Sequence, residues 1–450
     1  MRNSIVVLVS ILLVACSSSD GNGGNGAAAP NSCSNDDQKR FVRDAMQDWY
    51  LWNNLLPNNI SVGNYASPEA LLADLMTYSP DDGSGQPIDH FSFIGSAAAD
   101  AAFFGEGKYE GFGFSSEQFA ADDIRLTQVF ANSPADLGGL ARGQRIIELG
   151  GRTVAAIQAA EGINAVLATS PLTFLMREPG GTQFTTTITR GIVTITPVPQ
   201  YRVIAAGDGS GRMVGYVELA SFISTANSEL SAVFADFIAN GVNDVILDLR
   251  YNGGGLVSTA NLLGDLLGGD VAENLVFSET HFNADRAAAN NSIDFFGRLA
   301  ASMSLSRLVV VASDSTASAS ELVINSMAPH VEVTIVGGST FGKPVGQVGF
   351  EFCDKILRLT AFQTVNADGF GDYFDGIPVN CPAVDDLSVA VGLDADPNIV
   401  VAMAYLDTGA CSVTVVPTTV LKAQAAQQVE LRERRAQPAL PPWQEFAGAY

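Results

Sequence analysis

Apolar residues recur with helical spacing over residues 35–56, where Phe41, Met46, Trp49, Tyr50 and Trp52 form an aromatic face. A second helical pattern covers 67–77, with Ala70, Leu71, Leu72, Leu75 and Met76. From about residue 107 the pattern shortens into apolar runs punctuated by glycine: 172–176 and 183–190 predict strands and 155–167 a helix. Beyond residue 200, strand-length and helix-length segments alternate. Residues 214–219, 245–249, 308–312 and 331–336 predict strands, with helices over 227–240 and 257–267. Such repetition predicts an α/β domain. A last helix is expected over 390–406, with Asp396-Pro397 at its start, and from Thr414 the chain reads as a tail of mixed charge.

Length and charge narrow the picture. A chain of 450 residues holds two or three domains, and 47% hydrophobic residues suffice for a substantial core. The formal net charge of −24 argues against a nucleic-acid partner. Three histidines and cysteines without ligand spacing argue against a metal site, and no cofactor is expected. Met1-Arg2-Asn3 followed by a short apolar run reads as a signal peptide, too short to span a bilayer as a helix. It ends in Leu13-Val14-Ala15-Cys16, which resembles a bacterial lipobox and implies a lipid anchor at Cys16. Residues 17–31 would be a flexible tether. By resemblance to Gram-negative lipoprotein sorting, Ser17 after the cysteine implies the outer membrane, facing the periplasm. Export permits disulfides among Cys33, Cys353, Cys381 and Cys411. The expected pairing is Cys353–Cys381 with Cys33–Cys411.

Candidate chemistry concentrates in residues 313–347. A small-residue loop delivers Ser318-Ala319-Ser320-Glu321 to a helix start, and a glycine turn delivers Lys343 after a β-branched strand. The first amides of a helix favour negative charge. Ser318 there could attack a carbonyl while the Ala319 N–H stabilises the oxyanion. A lysine serves as its base only when neutral, and a fall from about 10.4 to about 7–8 corresponds to roughly 4 kcal/mol. Phe341, Val345 and the apolar strand would provide the desolvation. The same residue types also fit an ordinary helix cap and a solvated loop charge.

These residues, with Thr340-Phe341-Gly342-Lys343 and Gln347, resemble the C-terminal processing peptidases (tail-specific proteases). The resemblance implies Ser318 as nucleophile, Lys343 as general base 25 positions on, and Gln347 as its orienter four further. Pro344 stands where that family usually has glycine, and Gly346 precedes the glutamine. Asp248-Leu249-Arg250-Tyr251-Asn252-Gly253-Gly254-Gly255 resembles the family's glycine-rich loop, and implies Gly254 or Gly255 as the second oxyanion donor. The segment lacks the Lys-Ser/Thr pair of a phosphate loop. Asp248 and Arg250 are read as structural.

Tyr109-Glu110-Gly111-Phe112-Gly113-Phe114 resembles the carboxylate-binding loop of PDZ domains, and Ser133–Leu140 with Gly143–Gly151 resembles a bacterial PDZ core. Gly111, Phe112, Gly113 and Phe114 are therefore the candidate peptide-binding residues. By the same resemblance the fold is a ClpP/crotonase-like α/β peptidase domain with a β-rich PDZ domain of two helices and an N-terminal helical region. The division expected is signal peptide 1–15, linker 16–32, helical region 33–104, PDZ domain 105–198, peptidase domain 199–412 and tail 413–450. The implied function is a Ser-Lys endopeptidase acting on proteins with exposed C-termini, with an adaptor or homo-oligomer as further candidate partners. Two alternatives stand beside it: a non-catalytic PDZ lipoprotein that binds peptides, and a Ser-His peptidase using His90, which is read here as structural.

Overall fold

The computed structural model describes residues 30–83, 85–120 and 122–411. The signal segment with Cys16 and the tail from residue 413 lie outside the described residues.

Unbroken apolar runs become the centre of a six-stranded sheet. Its order is Tyr201–Ala205, Met213–Glu218, Val242–Asp248, Arg307–Ala312, Glu332–Gly337 and Cys381–Pro382. The first pair is antiparallel and the remaining pairs are parallel. Both faces are covered, which is why these strands read as continuous hydrophobic stretches rather than alternating ones. Val245, Leu247, Leu308 and Val310 pack with the helices Ala226–Ala239, Val257–Gly268 and Ala319–Met327. Ile246, Val309 and Val311 face the other way, onto the helix Pro397–Thr408. That last helix begins at the expected Asp396-Pro397 rather than at 390. Asp396 caps it by accepting the Asn398 N–H, and Pro397 occupies its first turn.

A second sheet runs Phe93–Ser96, Lys355–Val365, Val276–Phe282, Ser292–Phe295, with Val345–Phe352 paired to Lys355–Val365. The N-terminal helices Asn35–Trp49 and Pro68–Met76 pack on it. Phe41 stacks on Phe352 at 4.8 Å, Trp49 meets Phe350 at 5.5 Å, and Leu357 and Leu359 close the core. The aromatic face is thus core. The first helix ends at Trp49, short of the expected Leu56, because Leu51 donates its N–H to Thr360 O in this sheet.

Residues 112–188 enclose a core of their own. Five strands follow the order Phe114–Ala120, Asp123–Val129, Arg145–Leu149, Leu172–Arg177 and Gln183–Ile188, and Arg152–Thr153 pairs with Arg145–Leu149. The helix expected over 155–167 is two helices, Val154–Ala160 and Ile163–Leu167. Gly162, at φ +82°, turns the chain between them.

The cysteines pair differently from expectation: Cys33–Cys353 and Cys381–Cys411. Cys353 lies in the tight turn between Val345–Phe352 and Lys355–Val365, against which the first helix packs. Cys381 lies on the edge of the central sheet, beside the helix that runs out to Cys411. The expected Cys353–Cys381 bridge would have to join two different sheets.

Candidate active site

Three loops leave the carboxyl ends of neighbouring central strands, where ligands of parallel sheets commonly bind. They carry Gly253–Gly255, Ser318 and Lys343. Hydrogen bonds lace the first two together. Thr316 Oγ1 donates to Leu249 O at 2.7 Å, Ala317 N to Asn252 O at 3.1 Å, and Ser320 Oγ to Asn252 O at 2.9 Å. The third joins them through Phe341 N, which donates to Thr316 O at 2.9 Å.

Ser318 sits at the N-cap of a helix whose every residue, Ala319 to Met327, is buried. It is itself half-buried, and its backbone holds φ +57°, ψ −115°. Residues with a Cβ seldom take a positive φ, and holding one there costs about 1–3 kcal/mol that the surrounding structure must offset. Gly254 lies against this turn. A Cβ added to it would meet Ala317 O at 2.7 Å, Ser318 Cβ at 2.8 Å and Ala319 N at 2.9 Å. Gly255 instead packs on Phe222, whose carbonyl would be 2.1 Å from a Cβ. The structure therefore separates the two candidate glycines: Gly254 borders Ser318, with its own N–H donated to Asn252 Oδ1 at 2.9 Å, and Gly255 bridges to Phe222.

Lys343 is half-buried, and its Nζ donates to Gln347 Oε1 at 3.0 Å. The Phe91 ring centroid lies 5.3 Å from the same Nζ. Gln347 in turn donates Nε2 to Phe91 O at 2.5 Å. His90 packs beside this group, 4.0 Å from the Phe91 ring and 5.9 Å from Phe341.

Glu321 is the functional residue whose part the sequence reading did not assign. Its side chain is fully buried, and four donors converge on it. Thr340 Oγ1 and Gly342 N reach Oε1 at 2.5 and 2.7 Å; Ser318 N and Lys343 N reach Oε2 at 2.9 and 2.8 Å. Because two donors share one oxygen, the backbone nitrogens of Ser318 and Lys343 lie within about 6 Å of each other. Burial pushes the Glu321 carboxyl above its ordinary range, and the four donors act in the opposite direction. The sequence signal was present: a serine followed three residues later by glutamate is a capping-box pattern.

A buried ion network supports the glycine loop from below. Arg250 pairs with Asp248 and Asp396, each at 2.7 Å, and with Asp385 at 3.0 Å, in keeping with its structural reading. Arg142, in the turn before Arg145–Leu149, reaches across to this network. It donates to Thr127 O at 2.7 Å, Val389 O at 3.1 Å, Asp385 at 2.6 Å and the Tyr251 hydroxyl. Nearby, burial and then the Asp248 carboxylate raise Glu218 to about 7.

The residues expected to bind peptide divide. Phe112 and Phe114 are wholly buried against Phe174, with ring centroids at 5.2 and 6.1 Å, so their side chains belong to the core. Gly113, at φ +91°, lies against Ser133, and Gly111 pairs with Gly191. This segment can meet a ligand through its backbone only.

Comparison with known proteins shows what this arrangement is similar to. The sequence profile of peptidase family S41 matches residues 213–378, which hold all three loops, and the peptidase S41 N-terminal domain matches residues 37–93. Residues 213–378 and 37–93 are thus similar to serine-type peptidases of family S41. Among curated S41 relatives, a chloroplastic C-terminal processing peptidase of Tetradesmus obliquus is 30% identical over 259 residues, covering 54% of this chain and 53% of the relative. The carboxy-terminal processing protease CtpA of Bacillus subtilis is 26% identical, covering 64% and 59%. The chain thus spans between 52 and 59% of the length of the first curated relatives it matches. The S41 fold is shared with an S41 protease from Bacteroides fragilis at a TM-score of 0.64 and 23% identity, covering 82% of this chain and 97% of that one. A photosystem II D1 C-terminal processing protease gives 0.53 and 21%, covering 82% and 100%.

Proposed function

We propose that the chain is a serine endopeptidase that cuts proteins at or near their C-terminal tails. The observation that carries this reading is the single buried carboxylate of Glu321, which holds the backbone of Ser318 and the backbone of Lys343 on one oxygen.

The chemistry follows from roles the geometry supports. Neutral Lys343 takes the Ser318 proton as Oγ attacks the scissile carbonyl. Negative charge develops on the carbonyl oxygen beside the Ala319 N–H and the Gly254-Gly255 turn. The tetrahedral species collapses as the resulting ammonium returns the proton to the leaving amine. A water then hydrolyses the acyl ester, with Lys343 again as base. Gln347 holds the lysine. Residues 105–198 act as a PDZ module: the backbone of Gly111–Phe114 receives a terminal carboxylate, and the neighbouring strand pairs with the tail. The peptidase part is ClpP/crotonase-like. Export and lipidation at Cys16 would place the enzyme on the envelope, and the two disulfides fit an oxidising compartment.

The test is cleavage of an unfolded protein by the purified full chain, with free or amidated substrate C-termini. Loss in both Ser318→Ala and Lys343→Ala, with His90→Ala active, is the expected result. Retained activity in Lys343→Ala with loss in His90→Ala would replace the base. Tail binding without cleavage by the unmutated chain would make the protein a binding lipoprotein instead.

A further inference from the structure

The Gln347 amide can hold a lysine in only one orientation. With Oε1 toward Nζ it accepts a hydrogen bond; turned over, it would present two N–H groups to another donor. The Phe91 carbonyl selects the orientation by taking Nε2. What keeps that carbonyl in place lies two residues earlier. Asp89 is buried, and its carboxylate accepts from Phe91 N at 3.0 Å, Ser92 N at 3.1 Å, Ser92 Oγ at 2.7 Å and Thr360 Oγ1 at 3.0 Å. Ser79 Oγ accepts the Asp89 N–H at 2.9 Å.

Thr360 is also the cross-strand partner of Gln347. The strand pair is irregular at this point, between Gly346 and Gln347. Such irregularities re-aim a side chain. A Cβ at Gly346 would meet the Phe362 ring at 2.0 Å, so only glycine fits the bend. Asp89 therefore grips both supports of Gln347: the carbonyl in front of it and the residue opposite it.

We infer that Asp89 is a positioning residue for the reaction, acting on Lys343 through the Phe91 carbonyl and Gln347. The inference rests on the Ser-Lys reading. It gives residues 37–93, whose end this segment forms, a part in setting the base. The titratable groups packed around the segment are His90 beside the Phe91 ring, Tyr50 beside Asp89, and Glu321 on the Lys343 backbone.

The experiment is a double-mutant cycle in the full chain with Asp89→Ala, Gln347→Ala and the pair. Thermal unfolding of each variant is recorded first. Two readouts follow: the pH profiles of kcat and KM for cleavage, and the pH dependence of Lys343 modification by an amine reagent, read by peptide mass spectrometry. The expected result is a kcat loss of at least tenfold in Asp89→Ala with KM within twofold. The pair should be no worse than Gln347→Ala alone, and both single variants should move the Lys343 midpoint in the same direction. Asp89→Asn keeps an acceptor for the Phe91 and Ser92 N–H groups and should recover most of the activity. If Asp89→Ala does not fold, the cycle is run with Asp89→Asn, where the smaller loss must again vanish in the Gln347→Ala background. Additive losses, or a folded Asp89 variant with unchanged kcat and Lys343 midpoint, overturn the inference. Absence of cleavage by the unmutated chain would sink the peptidase reading alone, since the Lys343 modification midpoint still reports whether Asp89 positions the lysine.

Discussion

Oε2 of Glu321 accepts the backbone N–H of Ser318 at 2.9 Å and that of Lys343 at 2.8 Å. One buried atom thus sets the spacing between two loops that start from different strands. Glu321→Gln keeps the volume and replaces one acceptor oxygen by an NH₂ group. Each donor left unsatisfied costs about 1–3 kcal/mol. The expected outcome is a fall in unfolding free energy of roughly 2–5 kcal/mol by urea titration, together with slower phosphonylation of Ser318 by a fluorophosphonate probe.

Gly254→Ala would put a methyl group within 3 Å of Ala317 O, Ser318 Cβ and Ala319 N, at a φ of +103°. The Ser318 turn and the Ala319 N–H must move. On the proposed mechanism this displaces one oxyanion donor, which costs about 10²–10³ in kcat. A loss of that size with KM little changed is expected for a folded variant. Gly255→Ala strikes the Phe222 carbonyl instead and should show first as lost stability.

Glu218 gives a pH prediction. Its carboxyl lies at about 7 in the fold against 4.5 ordinarily, because of burial first and the Asp248 carboxylate second. A raised value means that the fold favours the protonated form. The stabilisation is complete below about 4.5 and is lost as pH rises through about 7. Glu218→Gln removes this dependence. Its unfolding free energy relative to the unmutated chain should rise by roughly 3 kcal/mol from acid to pH 8, measured by urea denaturation at fixed ionic strength.

Arg142→Met tests the joint between residues 112–188 and the glycine loop. The guanidinium serves the carbonyls of Thr127, Val389 and Asp386, the Asp385 carboxylate and the Tyr251 hydroxyl. Asp385 keeps Arg250 as a partner, so the loss is less than that of a fully orphaned buried charge, about 1–3 kcal/mol. Faster limited proteolysis within 112–188 is the expected readout, with the core of the central sheet still protected from hydrogen exchange.

The central sheet was legible because strands buried on both faces leave unbroken apolar runs, and the helices between them keep their own period. Ser318, Lys343 and Gln347 were singled out by spacing that carries the family resemblance, and the structure brings Lys343 and Gln347 into direct contact. Contacts between distant segments were not. Asp89 meets Thr360 across 271 positions, and Arg142 meets Tyr251 across 109. No local pattern encodes either. The cysteine pairing was hidden for the same reason: four cysteines permit three connectivities, and only the packing of the first helix on the second sheet selects one. Phe112 and Phe114 show the limit within a motif. An aromatic between glycines looks the same in sequence whether it faces a ligand or Phe174.

The Cys33–Cys353 bond joins residues 320 positions apart. It turns most of the protein into a covalent ring that contains residues 112–188, Ser318, Lys343 and Gln347. A single cut anywhere in that ring opens it without releasing a fragment. A chain nicked by itself or by a neighbour would keep its two halves together, run as one species until a reductant is added, and keep its site residues tethered for as long as the surroundings stay oxidising.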